Sequence, residues 1–231
     1  VSHLLALDVD LTGFYSMLDH DPVLYKAVGR LHGLWPARSE TVFEALVVAI
    51  IGQQISANVA RVIREGIVEA YGTQVVAEGH MLYAFPRPES FSNATSDQLR
   101  ALKLSSRKVE YIQDTARRTL EGELERERFV GMDNEEVIAE LIKVRGIGRW
   151  SAEWMLMRAL GRLDVLPAGD LALRRVVSEL YFDGAIITEA QLATFGEERW
   201  SPYRGLATTY LFSYLRQRRL TQSNQATQGP S

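Results

Sequence analysis

Apolar residues along this chain recur mostly three and four positions apart, the spacing of one face of a helix. Phe14, Met17 and Leu18, then Leu24, Ala27, Val28 and Leu31, predict helix over 14–31 with a break at Pro22. From Val42 to Ile51 the chain is almost continuously apolar, which predicts a helix buried on all sides. After Gly52, Gln53 and Gln54 a further pattern, Ile55, Val59, Val62, Ile63 and Ile67, runs to Tyr71–Gly72. Pro86 and Pro88 with Ser90, Ser92 and Asn93 read as the longest loop. A short helix comes next over 97–102, and another from Ser106 to Glu121–Gly122. Asp133 and Glu136 have the spacing of a capping box and open a helix over 134–143. Alternating strand patterns are scarce, with only 73–77 and 184–188 as candidates, and no internal repeat is visible. The tail 221–231 is polar and is expected to be mobile. The pattern predicts an all-α protein.

Composition narrows the function classes. A chain of 231 residues is long enough for one large domain or two small ones. No apolar run reaches the roughly 18 residues of a membrane span. No basic stretch precedes an apolar core at the N-terminus, so no secretory signal and no membrane partner are expected. With no cysteine there is no disulfide, no thiol nucleophile and no cysteine-held iron–sulfur cluster. His3, His20, His32 and His80 form no pair at metal-ligand spacing. The net charge of −3 and pI near 5.9 argue mildly against nucleic acid. Yet 22 of the 26 basic residues are arginines, the better bidentate partners for phosphate. Arginine is also a common solvated surface residue, so charge alone leaves both readings open.

The most informative segment is Leu141-Ile142-Lys143-Val144-Arg145-Gly146-Ile147-Gly148-Arg149-Trp150-Ser151-Ala152. An amphipathic helix ends, two glycines frame one apolar residue, and a second helix begins. Glycine at 146 and 148 is expected to serve close backbone approach or positive φ. The amides opening the second helix would then favour an anion, with Ile147 anchoring the turn in the core. A dinucleotide fingerprint would need a third glycine and a preceding strand, so that reading is weak. A plain tight helix–helix turn and the helix-hairpin-helix of DNA-binding proteins both remain.

The residues after the hairpin separate these two. Trp150-Ser-Ala-Glu-Trp154-Met-Leu-Met-Arg-Ala-Leu-Gly161 reads as a buried helix with a C-terminal glycine, and Asp164-Val-Leu-Pro167-Ala-Gly-Asp170 leads into a helix over 171–180. The run from Gly146 to Arg175, GIGRWSAEWMLMRALGRLDVLPAGDLALRR, resembles the signature of the helix-hairpin-helix (HhH-GPD) DNA glycosylases, in particular the alkylation-repair branch. Ala49-Ile-Ile-Gly-Gln-Gln-Ile-Ser56 is similar to the family segment that wedges into the gap left by an extruded base. Leu99-Arg-Ala-Leu-Lys-Leu-Ser-Ser-Arg-Lys108 is similar to another family stretch, with Lys103 where glycine is usual. The resemblance covers roughly residues 22–220. Departures are Arg145, where proline commonly precedes the first glycine, and Gly169, where a second acidic residue is often found.

The resemblance implies a two-lobed helical fold with a DNA-binding cleft between the lobes and no N-terminal β-domain. One lobe would be continuous over 45–162; the other would combine 1–44 with 163–231. It implies a bacterial, nucleoid-associated cytoplasmic enzyme, a monomer on double-stranded DNA, that extrudes alkylated purines of the 3-methyladenine and 7-methylguanine type. Asp170 is the implied catalytic group, because an ionised carboxylate stabilises an oxocarbenium-like sugar. By position alone it reads as a helix N-cap before a catalytic group, and only the resemblance reverses that order. Trp150 and Trp154 lie one turn apart and share a face; the resemblance makes them walls of the base pocket, with Phe212 a third. Such aromatic faces favour electron-deficient bases. Trp150 also stands where strand-cleaving relatives carry a Schiff-base lysine, which implies simple hydrolysis. Gln54, with Gln53, would fill the gap in the duplex. Arg145, Gly146, Ile147, Gly148, Arg149 and Arg174 would meet the DNA backbone. The main-chain carbonyls of Ile142, Val144 and Gly146 would hold a structural monovalent cation, and no cofactor is expected for catalysis. The alternatives are a non-catalytic DNA-binding module in which Asp170 is only a cap, or a glycosylase for deaminated or oxidised bases.

Overall fold

The computed structural model describes residues 2–227. Its helices, in chain order, are α1 (Thr12–Asp19), α2 (Pro22–Val28), α3 (Val42–Gly52), α4 (Ala57–Tyr71), α5 (Pro88–Asn93), α6 (Ser96–Ala101), α7 (Ser106–Leu120), α8 (Arg126–Phe129), α9 (Asn134–Leu141), α10 (Arg149–Met155), α11 (Leu171–Tyr181), α12 (Glu189–Trp200) and α13 (Arg204–Thr227). Strands β1 (Gln74–Ala77) and β2 (His80–Tyr83) form an antiparallel ribbon between α4 and α5. The all-α expectation stands, with this ribbon as its one addition among the described residues. The chain divides into two compact units, one continuous over Ser39–Leu160, the other combining Val1–Arg38 with Gly161–Ser231.

In the continuous unit, α3 is the central helix. Its apolar run buries Val42, Phe43, Ala45, Leu46, Val47, Ala49, Ile50 and Ile51, and it packs against α4, α7 and α10. Each of the larger of these side chains, fully buried, contributes about 1.5–3 kcal/mol. Side-chain caps set where the helices start: Thr41 for α3, Ser56 for α4, Ser105 for α7, and capping boxes Thr95/Gln98 and Asp133/Glu136 for α6 and α9. The unit's ends meet, because the Ser39 amide donates to the Arg158 carbonyl at 2.8 Å.

The loop expected around Pro88 is instead α5. Proline takes its first turn, where an amide hydrogen would have no helical acceptor. Buried Phe91 then fixes that helix against Phe43 and Phe85. The strand expected over 73–77 is β1, paired Val75 to Leu82 and Val76 to Met81. The other candidate, 184–188, is not a strand; Gly184 turns there with φ +82°.

The discontinuous unit packs α1, α2, α11, α12 and α13 around Phe14, Leu24, Leu173, Val177, Trp200, Tyr210 and Leu211. Asp21 is buried in this core, yet satisfied. It caps α2 through the Leu24 amide (3.0 Å) and accepts from the Tyr181 hydroxyl (2.8 Å) and the Trp200 indole (3.2 Å). Arg38 lies against Gly161, where a Cβ would come within 2.5 Å of its guanidinium carbon. The segment 221–227, read from sequence as part of a mobile tail, continues α13, and 228–231 lie outside the described residues.

Candidate functional site

The two glycines of the hairpin serve different ends. At the end of α9 the amides of Ile142, Lys143 and Val144 bond back to Ile138, Glu140 and Leu141, and the Ile147 amide bonds to the Val144 carbonyl at 3.0 Å. Gly146 has φ +86°, and a Cβ there would run into Cγ of Tyr111, far inside van der Waals contact. Both backbone and space demand glycine. Gly148 has φ −101° and ψ 176°, extended backbone open to any residue, and a Cβ there would meet nothing within 4 Å. Positive φ therefore accounts for the glycine at 146 and not for the one at 148, where the space beside the backbone is open. Ile147 and Val144 are buried and anchor the turn, as expected for Ile147. Gly148 precedes α10 without a side-chain cap, so no side chain of its own intrudes on the first amides of that helix.

Two of the three arginines expected at a phosphate carry carboxylate partners. Arg145 pairs with Glu110 at 2.8 Å and lies over the Tyr111 ring at 5.9 Å. Arg149 is held by Glu135 through two bonds of 2.5 and 2.9 Å, and by buried Glu153 at 3.0 Å. The Glu135 hydrogen bond is the main reason the Arg149 guanidinium is pushed above its usual value, and the same bond holds the Glu135 carboxyl below its own. Arg174 belongs to the other unit, 3.5 Å from the Ile187 carbonyl, at the long limit of a hydrogen bond.

The two glutamines separate. The Gln53 side-chain amide donates to the Gly146 carbonyl (2.9 Å) and to Ser151 Oγ (3.1 Å), so it ties the end of α3 to the hairpin. That engagement occupies the donor end of the Gln53 side chain. Gln54 is exposed and takes φ +58°, left-handed backbone that a side chain seldom adopts. Lys103, where glycine is usual, likewise has φ +67°. Of the three carbonyls expected to hold a cation, Val144 accepts from the Ile147 amide and Gly146 from Gln53. Each carbonyl has two lone pairs, so one remains on each for a hard monovalent ion.

Trp150 and Trp154 share a face as expected, with ring centroids 6.1 Å apart and planes at 66°, an edge-to-face pair. Sequence reading missed Arg158, whose guanidinium lies 5.2 Å from the Trp154 ring centre. Its spacing of four from Trp154 was the available signal. The helix also departs from expectation after Met155, where Leu156–Leu160 forms one wider π-helical turn.

Asp170, Arg174 and Phe212 stand in the discontinuous unit. Asp170 is the N-cap of α11, and its Oδ1 alone accepts from the Ala172 (2.8 Å) and Leu173 (3.0 Å) amides. This fixes the carboxylate's orientation and places it at the positive end of a helix eleven residues long. Beside it, Glu189 brings its carboxylate 3.4–3.6 Å from where a side chain at Gly169 would begin. Phe212 is partly buried against the core on α13. Among the described residues no group of three histidines or carboxylates is placed to hold a metal ion, and no helix is long and apolar enough to cross a membrane.

The chain is similar to known proteins in sequence and in fold. A DNA-3-methyladenine glycosylase of Bacillus subtilis is 33% identical over 209 residues, covering 90% of this chain and 69% of the relative. DNA-3-methyladenine glycosylase 2 of Escherichia coli is 28% identical over 170 residues, covering 74% of this chain and 56% of the relative. Among solved structures, a 3-methyladenine DNA glycosylase from Archaeoglobus fulgidus superposes with a TM-score of 0.83 at 36% identity, covering 93% of this chain and 72% of that one. The model of the HhH-GPD superfamily base excision DNA repair proteins matches residues 47–202, hairpin and Asp170 included, and the chain belongs to that superfamily.

Proposed function

We propose that the chain is a DNA glycosylase that removes alkylated purines from double-stranded DNA in base excision repair. The reading rests first on Asp170, a carboxylate whose one oxygen is pinned by two backbone amides at the start of α11. Cleavage of the C1′–N bond sends its electron pair to the departing base and leaves oxocarbenium character on the sugar. The Asp170 carboxylate stabilises that charge, and water completes the hydrolysis at C1′. Alkylation at N3 or N7 makes the purine cationic, so it leaves without a strong acid. Trp150 and Trp154 supply aromatic faces that such a base would favour. The backbone around Gly148, open to solvent, takes a phosphate, and Gln54 enters the duplex. A monovalent cation on the hairpin carbonyls would add positive charge where that phosphate sits. With Trp150 where strand-cleaving relatives carry lysine, the product is an abasic site.

The decisive experiment compares wild type with Asp170→Asn on methylated duplex DNA and identifies the released bases. Asparagine keeps the cap and removes only the charge, and the loss of one preorganised electrostatic group predicts a rate lower by roughly 10²–10³-fold. Release at the wild-type rate, or none from wild type, refutes the enzymatic reading and leaves a DNA-binding module. A protein–DNA adduct trapped by borohydride refutes simple hydrolysis.

A further inference from the structure

The turn that carries Gln54 is unusual for the end of a helix. The last carbonyls of α3 need donors from outside the helix, commonly the amides that a left-handed glycine turns toward them. Here the left-handed residue is Gln54 itself, φ +58°, with no glycine to ease it. Lys108 of α7 reaches across instead. Its Nζ donates to the Ile51 carbonyl at 2.7 Å and to the Gln53 carbonyl at 2.8 Å. Among the described residues no carboxylate within salt-bridge distance balances this half-buried ammonium, and burial holds it below the usual lysine value. A cation at a helix C-terminus is favourable, but an exposed side chain would do as much at less desolvation. From the other side Gln53 is fixed to the Gly146 carbonyl and to Ser151. Before the exposed Gln54, Ile51 and Gln53 are thus held from α7, and Gln53 also from the hairpin and from α10.

We propose that Lys108 is a positioning residue for the duplex wedge: it holds the Ile51–Gln53 backbone so that Gln54 projects from the same rigid piece that grips the DNA backbone. The proposal rests on Gln54 being that wedge. Discrimination between damaged and undamaged DNA would then depend on Lys108 only through Gln54, while non-specific affinity, held by the hairpin, would not.

A double-mutant cycle tests it. Binding of Lys108→Met, Gln54→Ala and the double variant is measured on one duplex containing a tetrahydrofuran abasic analogue and on its undamaged counterpart. Lys108→Met should lower the ratio of the two affinities roughly tenfold, the scale of stranding buried carbonyls, with undamaged affinity changed less than about twofold. In the Gln54→Ala background the same substitution should do nothing further to the ratio. Equal losses in both backgrounds, or equal losses on both duplexes, overturn the proposal. Should Lys108→Met fail to fold, Lys108→Gln, shorter and uncharged but still polar, goes through the same cycle with the same two outcomes. Wild type that binds the abasic duplex yet frees no base from methylated DNA would defeat the enzymatic reading and leave this one standing.

Discussion

Alanine at each hairpin glycine should separate folding from DNA binding. At Gly146, alanine must adopt φ +86° and drive its methyl into the Tyr111 ring. Left-handed backbone costs a non-glycine residue about 1–2 kcal/mol, and forcing an extra methyl into a packed site about 1–3 kcal/mol. The Gly146→Ala protein should therefore lose roughly 2–5 kcal/mol of stability. At Gly148 neither penalty applies, because the backbone is extended and the methyl meets no protein atom. Alanine is a poorer N-cap, by up to about 1 kcal/mol, and it restricts the unfolded chain by a similar amount, ~0.4–1 kcal/mol. The two nearly cancel. Gly148→Ala should be as stable as wild type within about 0.5 kcal/mol, yet its methyl stands where a phosphate must approach the amides opening α10. Urea unfolding measures the first quantity; fluorescence anisotropy with a labelled undamaged duplex at fixed salt measures the second. Loss of one backbone site should weaken binding about tenfold or more. A Gly148→Ala protein with wild-type affinity would refute the assignment of that backbone to phosphate, and a fully stable Gly146→Ala would refute the steric account of the turn.

Glu135→Gln should release Arg149 for phosphate, raising undamaged-DNA affinity severalfold and steepening the salt dependence by about one unit of slope; unchanged affinity and slope would mean that Arg149 stays off the DNA. Lys103→Gly should stabilise the protein by about 0.5–1 kcal/mol in urea unfolding, because relief of the left-handed backbone exceeds the entropy that glycine adds. Asp170→Ala should cost about 1 kcal/mol of stability through loss of the α11 cap, whereas Asp170→Asn should cost almost none; equal destabilisation by both would show that charge, not capping, holds that helix end.

The helices that were legible in the sequence showed an apolar face at helical spacing, in one case with a capping box. Asp133 announces α9 by its capping-box spacing to Glu136, and α3 is legible from its apolar run alone. Pro88 misled because proline marks both a loop and a first helical turn, and only the burial of Phe91 decides between them. At the site, the hairpin was legible from its two glycines, whereas Asp170 by position alone reads as a helix cap and takes its catalytic reading from the family resemblance. The difference between Gln53 and Gln54 was not legible. Two identical neighbours differ only in where the chain turns, and the Gln53 carbonyl at that turn is bonded by Lys108, 55 residues away in sequence. The carboxylates opposite Arg145 and Arg149 were equally hidden, since Glu110 and Glu135 lie on α7 and at the start of α9 with nothing local to mark them.

The hydrogen bond from Ser39 to Arg158 makes the folding of one unit depend on the other. The unit bearing Asp170 is assembled from both ends of the chain, and bringing Arg38 against Gly161 means closing a loop over the whole Ser39–Leu160 span. For a flexible loop of that length the length-dependent entropy is roughly 4 kcal/mol. Once Ser39–Leu160 is folded, its two ends are already pinned together and that cost is gone. The unit of Asp170 thus owes part of its stability to the unit that carries the hairpin. A substitution that unfolds the hairpin's unit restores the full entropy of the open loop, so damage far from Asp170 in sequence reaches it through connectivity alone.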